Sequence, residues 1–107
     1  MNVRKFNSKN PKPKETWAAL ETFDNGIGAK LRLIVIKGIS GNQVEYYKCT
    51  TNPNAPGAYH VMDQISAGMY RDTYVVPRTK RMSISNLAHR CGVLSRFDIE
   101  ALGGLEE

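Results

Sequence analysis

Alternation of apolar and polar positions is clearest in "KLRLIVIK" (residues 30–37), where Leu31, Leu33 and Val35 alternate with Arg32, Ile34 and Ile36. Both sides of the segment become apolar toward its middle, which predicts a central strand covered on both faces. "GISGN" then reads as a hairpin loop, and "QVEYYKCT" (43–50), rich in Val, Tyr and Thr, as the partner strand. "TNPNAPG" is a loop by its turn residues. "AYHVMDQI" (58–65) and "MYRDTYVV" (69–76) read as a second hairpin around "SAG", ended by Pro77. Upstream, "ETWAALETF" puts Trp17, Leu20 and Phe23 on one side at helical spacing, while Thr16 and Thr22 keep a strand open as the alternative. "DNGIG" then breaks the chain.

The last quarter changes period. Ile84, Leu87, Ala88 and Cys91 fall at i, i+3, i+4, i+7, with Ser83 placed to cap the start of a helix and Gly92 its end. Ser95 with Asp98 resembles a capping box, Ile99 and Leu102 share a face, and Gly103 and Gly104 stop a second helix. The predicted fold class is therefore α+β: an antiparallel sheet of about four or five strands followed by a C-terminal helix pair. Residues 15–107 form one domain, and residues 1–14 a basic, flexible N-terminal arm.

Length agrees with a single domain, at 107 residues. No stretch of 18 apolar residues offers a transmembrane helix, and the basic N-terminus lacks the apolar run of a secretory signal. A cytoplasmic protein without membrane partners is expected. Net charge is +5 and the pI about 9.4, which bears on partners rather than on fold. The arm carries Arg4, Lys5, Lys9, Lys12 and Lys14. A second concentration, Arg71, Arg78, Lys80, Arg81, Arg90 and Arg96, faces one acid, Asp72, over residues 71–96. These six are the candidate nucleic-acid-binding residues.

Ala88, Gly92, Val93, Ile99 and Leu102 supply the residue types of a helix-turn-helix, with Leu94 as an insertion after the turn. The second helix would offer Arg96 to a base, but Asp98, Glu100, Glu106 and Glu107 would repel phosphate. Contact is therefore expected from the basic cluster and the arm, through charge, rather than from a recognition helix. The stretch "YVVPRTKRMSISNLAHRCGVLSRFDIEALGGL" (74–105) resembles the opening of HU/IHF-like DNA-binding proteins, in which a short strand leads into a helical pair. The resemblance implies a helix-pair dimer interface. It carries across no DNA-contacting residue, since the family's sheet and Pro-tipped arms have no counterpart in the chain.

Catalytic patterns are missing. "DNGIGAK" is not a P-loop, and no GxGxxG or GxSxG occurs. Cys49 and Cys91 suggest neither a disulfide framework nor a zinc site. They read as reduced thiols, and a bridge would require Cα atoms within about 7 Å. His60 and His89 read as surface or satisfied core residues, and Asp63 and Asp72 as exposed strand acids. Tyr46, Tyr47, Tyr59, Tyr70 and Tyr74, with Lys48 and Arg71 among them, fit cross-strand packing, or else a platform for unpaired bases. The expectation is a non-enzymatic protein, without cofactor or metal, that associates with DNA or RNA through basic surface contacts. The alternative is a structural or adaptor subunit that binds a protein partner or itself. A small catalyst would need His60 or His89 in a pocket beside Cys49 or a carboxylate.

Overall fold

The computed structural model describes residues 9–22 and 26–103. Arg4 and Lys5 of the arm, Phe23, the Asp24–Asn25 part of the break, Gly104, Glu106 and Glu107 lie outside the described residues. Six strands form one antiparallel sheet: β1 (Glu15–Thr22), β2 (Ala29–Ser40), β3 (Gln43–Thr50), β4 (Tyr59–His60), β5 (Tyr74–Ser83) and β6 (Leu87–Val93). Their order across the sheet is β4-β5-β3-β2-β1-β6. A 3-10 turn, Ile84–Asn86, joins β5 to β6, and α1 (Arg96–Ala101) follows.

Period-2 patterning sorts the side chains into two cores. Trp17, Ala19, Ile34, Ile36, Val44, Tyr46, Met82 and Leu87 pack together on one face. Met82 belongs to β5 and Leu87 to the far edge strand β6, so the sheet curls until the two sides share a core, and this is its inner face. Glu21 of β1 confirms the curl by accepting a hydrogen bond from the Tyr46 hydroxyl of β3 at 2.8 Å, past the intervening β2.

On the outer face, Val35, Tyr47, Cys49 and Val75 are covered by Val61, Ala67 and Met69 of the β4–β5 connection and by Leu94, with Ile99 and Leu102 of α1 packed beside them. The connection is fastened at both ends. The Thr16 hydroxyl donates to Ala67 O at 2.7 Å, and Val93 N–H donates to Ser66 O at 3.0 Å. At the other end, the fully buried Asp98 accepts from the Tyr59 hydroxyl, Met62 N–H, Asp63 N–H and the Ser95 hydroxyl.

The predicted helix pair is not there. Residues 84–93 form the 3-10 turn and β6, so the fold is a mainly β sheet with a single short α-helix among the described residues, not a sheet followed by two helices. Neither is there a helix-turn-helix. The cause is tertiary: β1 presents an edge that β6 fills by antiparallel pairing, Ala18 opposite His89 and Ala19 opposite Leu87. Of the supposed helical stripe only Leu87 is fully buried, and Ala88, His89 and Arg90 are exposed. The described residues among those that carry the HU/IHF resemblance thus form β5, the 3-10 turn, β6 and α1. Ser95 does cap α1, accepting from Asp98 N–H.

Gly92 is no helix stop. A Cβ there would lie 2.4 Å from Ser66 O, so the glycine lets the β4–β5 connection press against β6. The helical spacing of Trp17 and Leu20 is likewise overridden: β1 is a strand with Trp17 inside, Thr16 outside and Leu20 exposed. Pro77 does not end a strand. It lies within β5 where the pairing with β3 shifts register between Tyr46 and Lys48, a bulge that tolerates the missing N–H. Of residues 58–65 only Tyr59–His60 is a strand.

Candidate nucleic-acid interface

The inner face is apolar where the sheet closes on itself and basic beyond that. Strand register decides which side chains meet there. Val75 lies on the outer face, and its partner Cys49 with it. The neighbouring pairs, Lys48 with Val76 and Thr50 with Tyr74, therefore face inward. Lys48, Val76, Arg78 and Lys80 line one cleft of about 180 Å³. A second opening, of about 240 Å³, lies at the same end of β2 and β3 and is lined from both faces, by Lys30, Arg32 and Thr50 and by Leu33 and Cys49 of the outer side.

One carboxylate sits among these cations. Lys80 Nζ is 3.1 Å from Glu21 Oε2, and Arg32 Nε is 2.9 Å from Glu21 Oε1, an ion-pair distance although the N–H is not aimed for a hydrogen bond. Burial pushes the Glu21 carboxyl up, but the Tyr46 hydrogen bond, Lys80 and Arg32 outweigh it and hold the group below its ordinary value. Glu21 is thus charged near neutral pH and orients Arg32 and Lys80. Lys48 and Arg78 have no acidic partner among the described residues. Arg32, Lys48, Arg78 and Lys80 against Glu21 leave the face strongly positive.

The six residues singled out from sequence separate. Arg78 and Lys80 meet at this cleft. Arg81, beside them in sequence, is exposed and bonded to Glu45 Oε2 at 2.9 Å. Arg90 pairs with Glu15 at 3.2 Å, and Arg96 lies 3.8 Å from Glu100 on α1. Arg71 is exposed in the β4–β5 connection. Arg32 and Lys48 lie outside those six, Lys48 entering only among the tyrosines of the base-platform alternative. Period-2 alternation would have found them once the pairing of β2 with β3 and of β3 with β5 was known. In the arm, Lys9 Nζ donates to Ser85 O at 3.2 Å, and Lys14 is stitched to Ile36 and Leu94 by backbone hydrogen bonds.

The tyrosines also divide. Tyr46 and Tyr47 are buried in the two cores, and Tyr59 is held by Asp98, with burial first and that carboxylate second pushing its hydroxyl up to about 12. Tyr70 is exposed. Tyr74 stacks on His60, ring centroids 4.6 Å apart. Both cysteines are free, and burial pushes the Cys49 thiol up to about 12. Cys49 is on the outer face and His60, paired with Tyr74, on the inner, so they form no dyad. Among the described residues no cluster of three metal-ligating side chains occurs, and no helix is long and apolar enough to cross a membrane. No family model matches the chain, and no curated protein matches it.

Proposed function

We propose that this protein is a non-enzymatic nucleic-acid-associated protein that holds the phosphate backbone on the basic inner face of its sheet. The observation that carries this reading is the meeting of Lys48, Arg78 and Lys80 around one cleft, with two of the three cations lacking an acidic partner among the described residues. Cations left open toward solvent on a rigid strand scaffold are what sequence-independent phosphate binding uses. The test is a fluorescence-anisotropy titration of labelled oligonucleotides from 25 to 300 mM salt, on the order of the range over which counterion release is measured. Affinity should fall as a power of the salt concentration. Lys48→Glu with Arg78→Glu should abolish most of it. No binding at the lowest salt would end the proposal.

A second reading, an adaptor that docks through apolar contacts, is favoured by a separate observation. Met62, Ile65 and Phe97 are 74%, 91% and 78% exposed, and two of them adjoin the Asp98 clasp in sequence or by its hydrogen bonds. Sedimentation velocity over a hundredfold range of protein concentration tests self-association through that surface. A Phe97→Ser variant should remove any dimer it forms.

A further inference from the structure

The geometry points to a ligand class for the inner face: single-stranded nucleic acid, with a base stacked on the exposed side of His60. This inference rests on the phosphate-binding reading above and sharpens it. Its new element is the row Thr50–Tyr74–His60, in which the last two pair across β5 and β4. That row lies on the same face as Lys48 and one step along β3 from it. The imidazole is stacked on Tyr74 at an interplanar angle of 22°, and its side chain is half exposed. A half-exposed imidazole backed by a phenol ring offers a surface on which a base can stack, and the next side chain along that face of β3, past Thr50, is the cation Lys48.

Charge separates the two ends of the site. Asp72 lies 3.5 Å from His60 Nε2, and Gln64 Nε2 is within 3.4 Å of both His60 and Asp72. A phosphate is disfavoured beside that carboxylate, whereas a base, with its polar edge, is not. The phosphates therefore run over Arg32, Lys48 and Arg78, and the base turns toward β4. From β2 to β4 the site crosses three strand spacings of about 4.8 Å, so roughly 15 Å. That is room for about four nucleotides at the 3.4 Å spacing of a stacked strand. A duplex keeps its base faces covered and cannot use the platform.

The experiment compares three labelled twelve-residue probes at low salt: oligothymidylate, an abasic strand with the same phosphates, and a duplex. Each is titrated with the native chain and with His60→Ala, His60→Phe and Lys48→Glu. Native protein should bind oligothymidylate about tenfold more tightly than the abasic strand, within the range expected of one stacked base. His60→Ala should erase that difference while leaving abasic affinity unchanged, and His60→Phe should keep it. Lys48→Glu should weaken all probes together. Equal binding of oligothymidylate and the abasic strand, or tighter binding of the duplex, overturns the stacking inference but leaves the charge reading standing. Failure to bind any probe overturns the charge reading itself. Retained thermal unfolding of His60→Phe shows that the short β4 pairing does not depend on the imidazole.

Discussion

The two faces of this sheet are built from alternating residues of the same strands, yet they end up with opposite characters. The outer face is closed: the β4–β5 connection and α1 cover Val35, Cys49 and Val75, and the clasp is a charged carboxylate that receives neutral donors. The inner face is half closed by its own curl, and beyond the core it leaves Lys48 and Arg78 open. Capping by a separate segment demands close backbone approach and a buried anchor. Capping by curvature needs no such close approach, although the buried Glu21 pins it through the Tyr46 hydroxyl, and it leaves an end free for binding. Stability should therefore be most sensitive at the outer cap and binding at the inner face.

The largest effect is expected at Gly92. A methyl there would sit 2.4 Å from Ser66 O and 2.7 Å from Ala67 C, both backbone atoms that no rotamer change can move. Gly92→Ala should cost about 3 kcal/mol, the upper end of overpacking effects. In a thermal melt that is roughly a 15 °C drop for a domain of this size. Salt-dependent binding by the protein that remains folded should persist. An unchanged melting temperature would mean that the connection does not press on β6.

Next comes Asp98. Asp98→Ala would strand the amides of Met62 and Asp63 and the Tyr59 hydroxyl inside the cap, a loss of about 2–3 kcal/mol. Burial raises the pKa of this carboxyl, but the hydrogen bonds from Tyr59, Met62, Asp63 and Ser95 outweigh that and leave it below its ordinary value. A carboxyl whose folded pKa lies below its unfolded one stabilises the fold above the unfolded value of about 3.9. That contribution disappears as pH falls through the folded pKa. Urea midpoints measured between pH 6 and pH 2.5 should fall on acidification, and less steeply in Asp98→Asn. Glu15 and Glu21, shifted in the same direction, should supply the slope that remains.

These two sites also show what the sequence could and could not convey. The Ser95–Asp98 spacing was readable because a helix cap is local. The limits of β3 and the core of β2 were readable because their runs of β-branched and aromatic residues fit no helical stripe. β6 was not. Its apolar positions, Leu87, Ala88 and Cys91, mimic a helical stripe, and its state is decided by β1, about 70 residues earlier. Gly92 marks a close approach to a segment some 25 residues away, which no local pattern encodes. The candidate site was half visible for the same reason. Arg78 and Lys80 stand out as a basic run, but Lys48 and Arg32 join them only through register. Arg81, next to Lys80 in sequence, goes to Glu45 instead.

On the inner face, Lys48→Glu with Arg78→Glu should weaken oligonucleotide binding by about ten- to a hundredfold at low salt. The slope of log K against log salt should become shallower by about 1.4, two contacts at roughly 0.7 each for a single strand. Stability should change by less than about 0.5 kcal/mol, since neither side chain anchors a core. A parallel loss of folding would show instead that the inner face, like the outer, is held together by its polar groups.

Arg81→Ala should do least, and for that reason it separates a local site from general positive charge. Arg81 lies next to Lys80 in the chain and carries the same charge, so any effect of bulk charge must include it. Its guanidinium, however, is already bonded to Glu45 at the exposed end of the β3–β5 ladder. A surface ion pair of this kind contributes about 0.2–1 kcal/mol to stability. Removing the cation frees Glu45, and binding should change by less than about twofold, with the salt slope unaltered. If Arg81→Ala instead weakens binding as much as Arg78→Ala, the ligand is responding to net charge over the whole surface, and the contrast between an occupied outer face and an open inner one has no functional meaning.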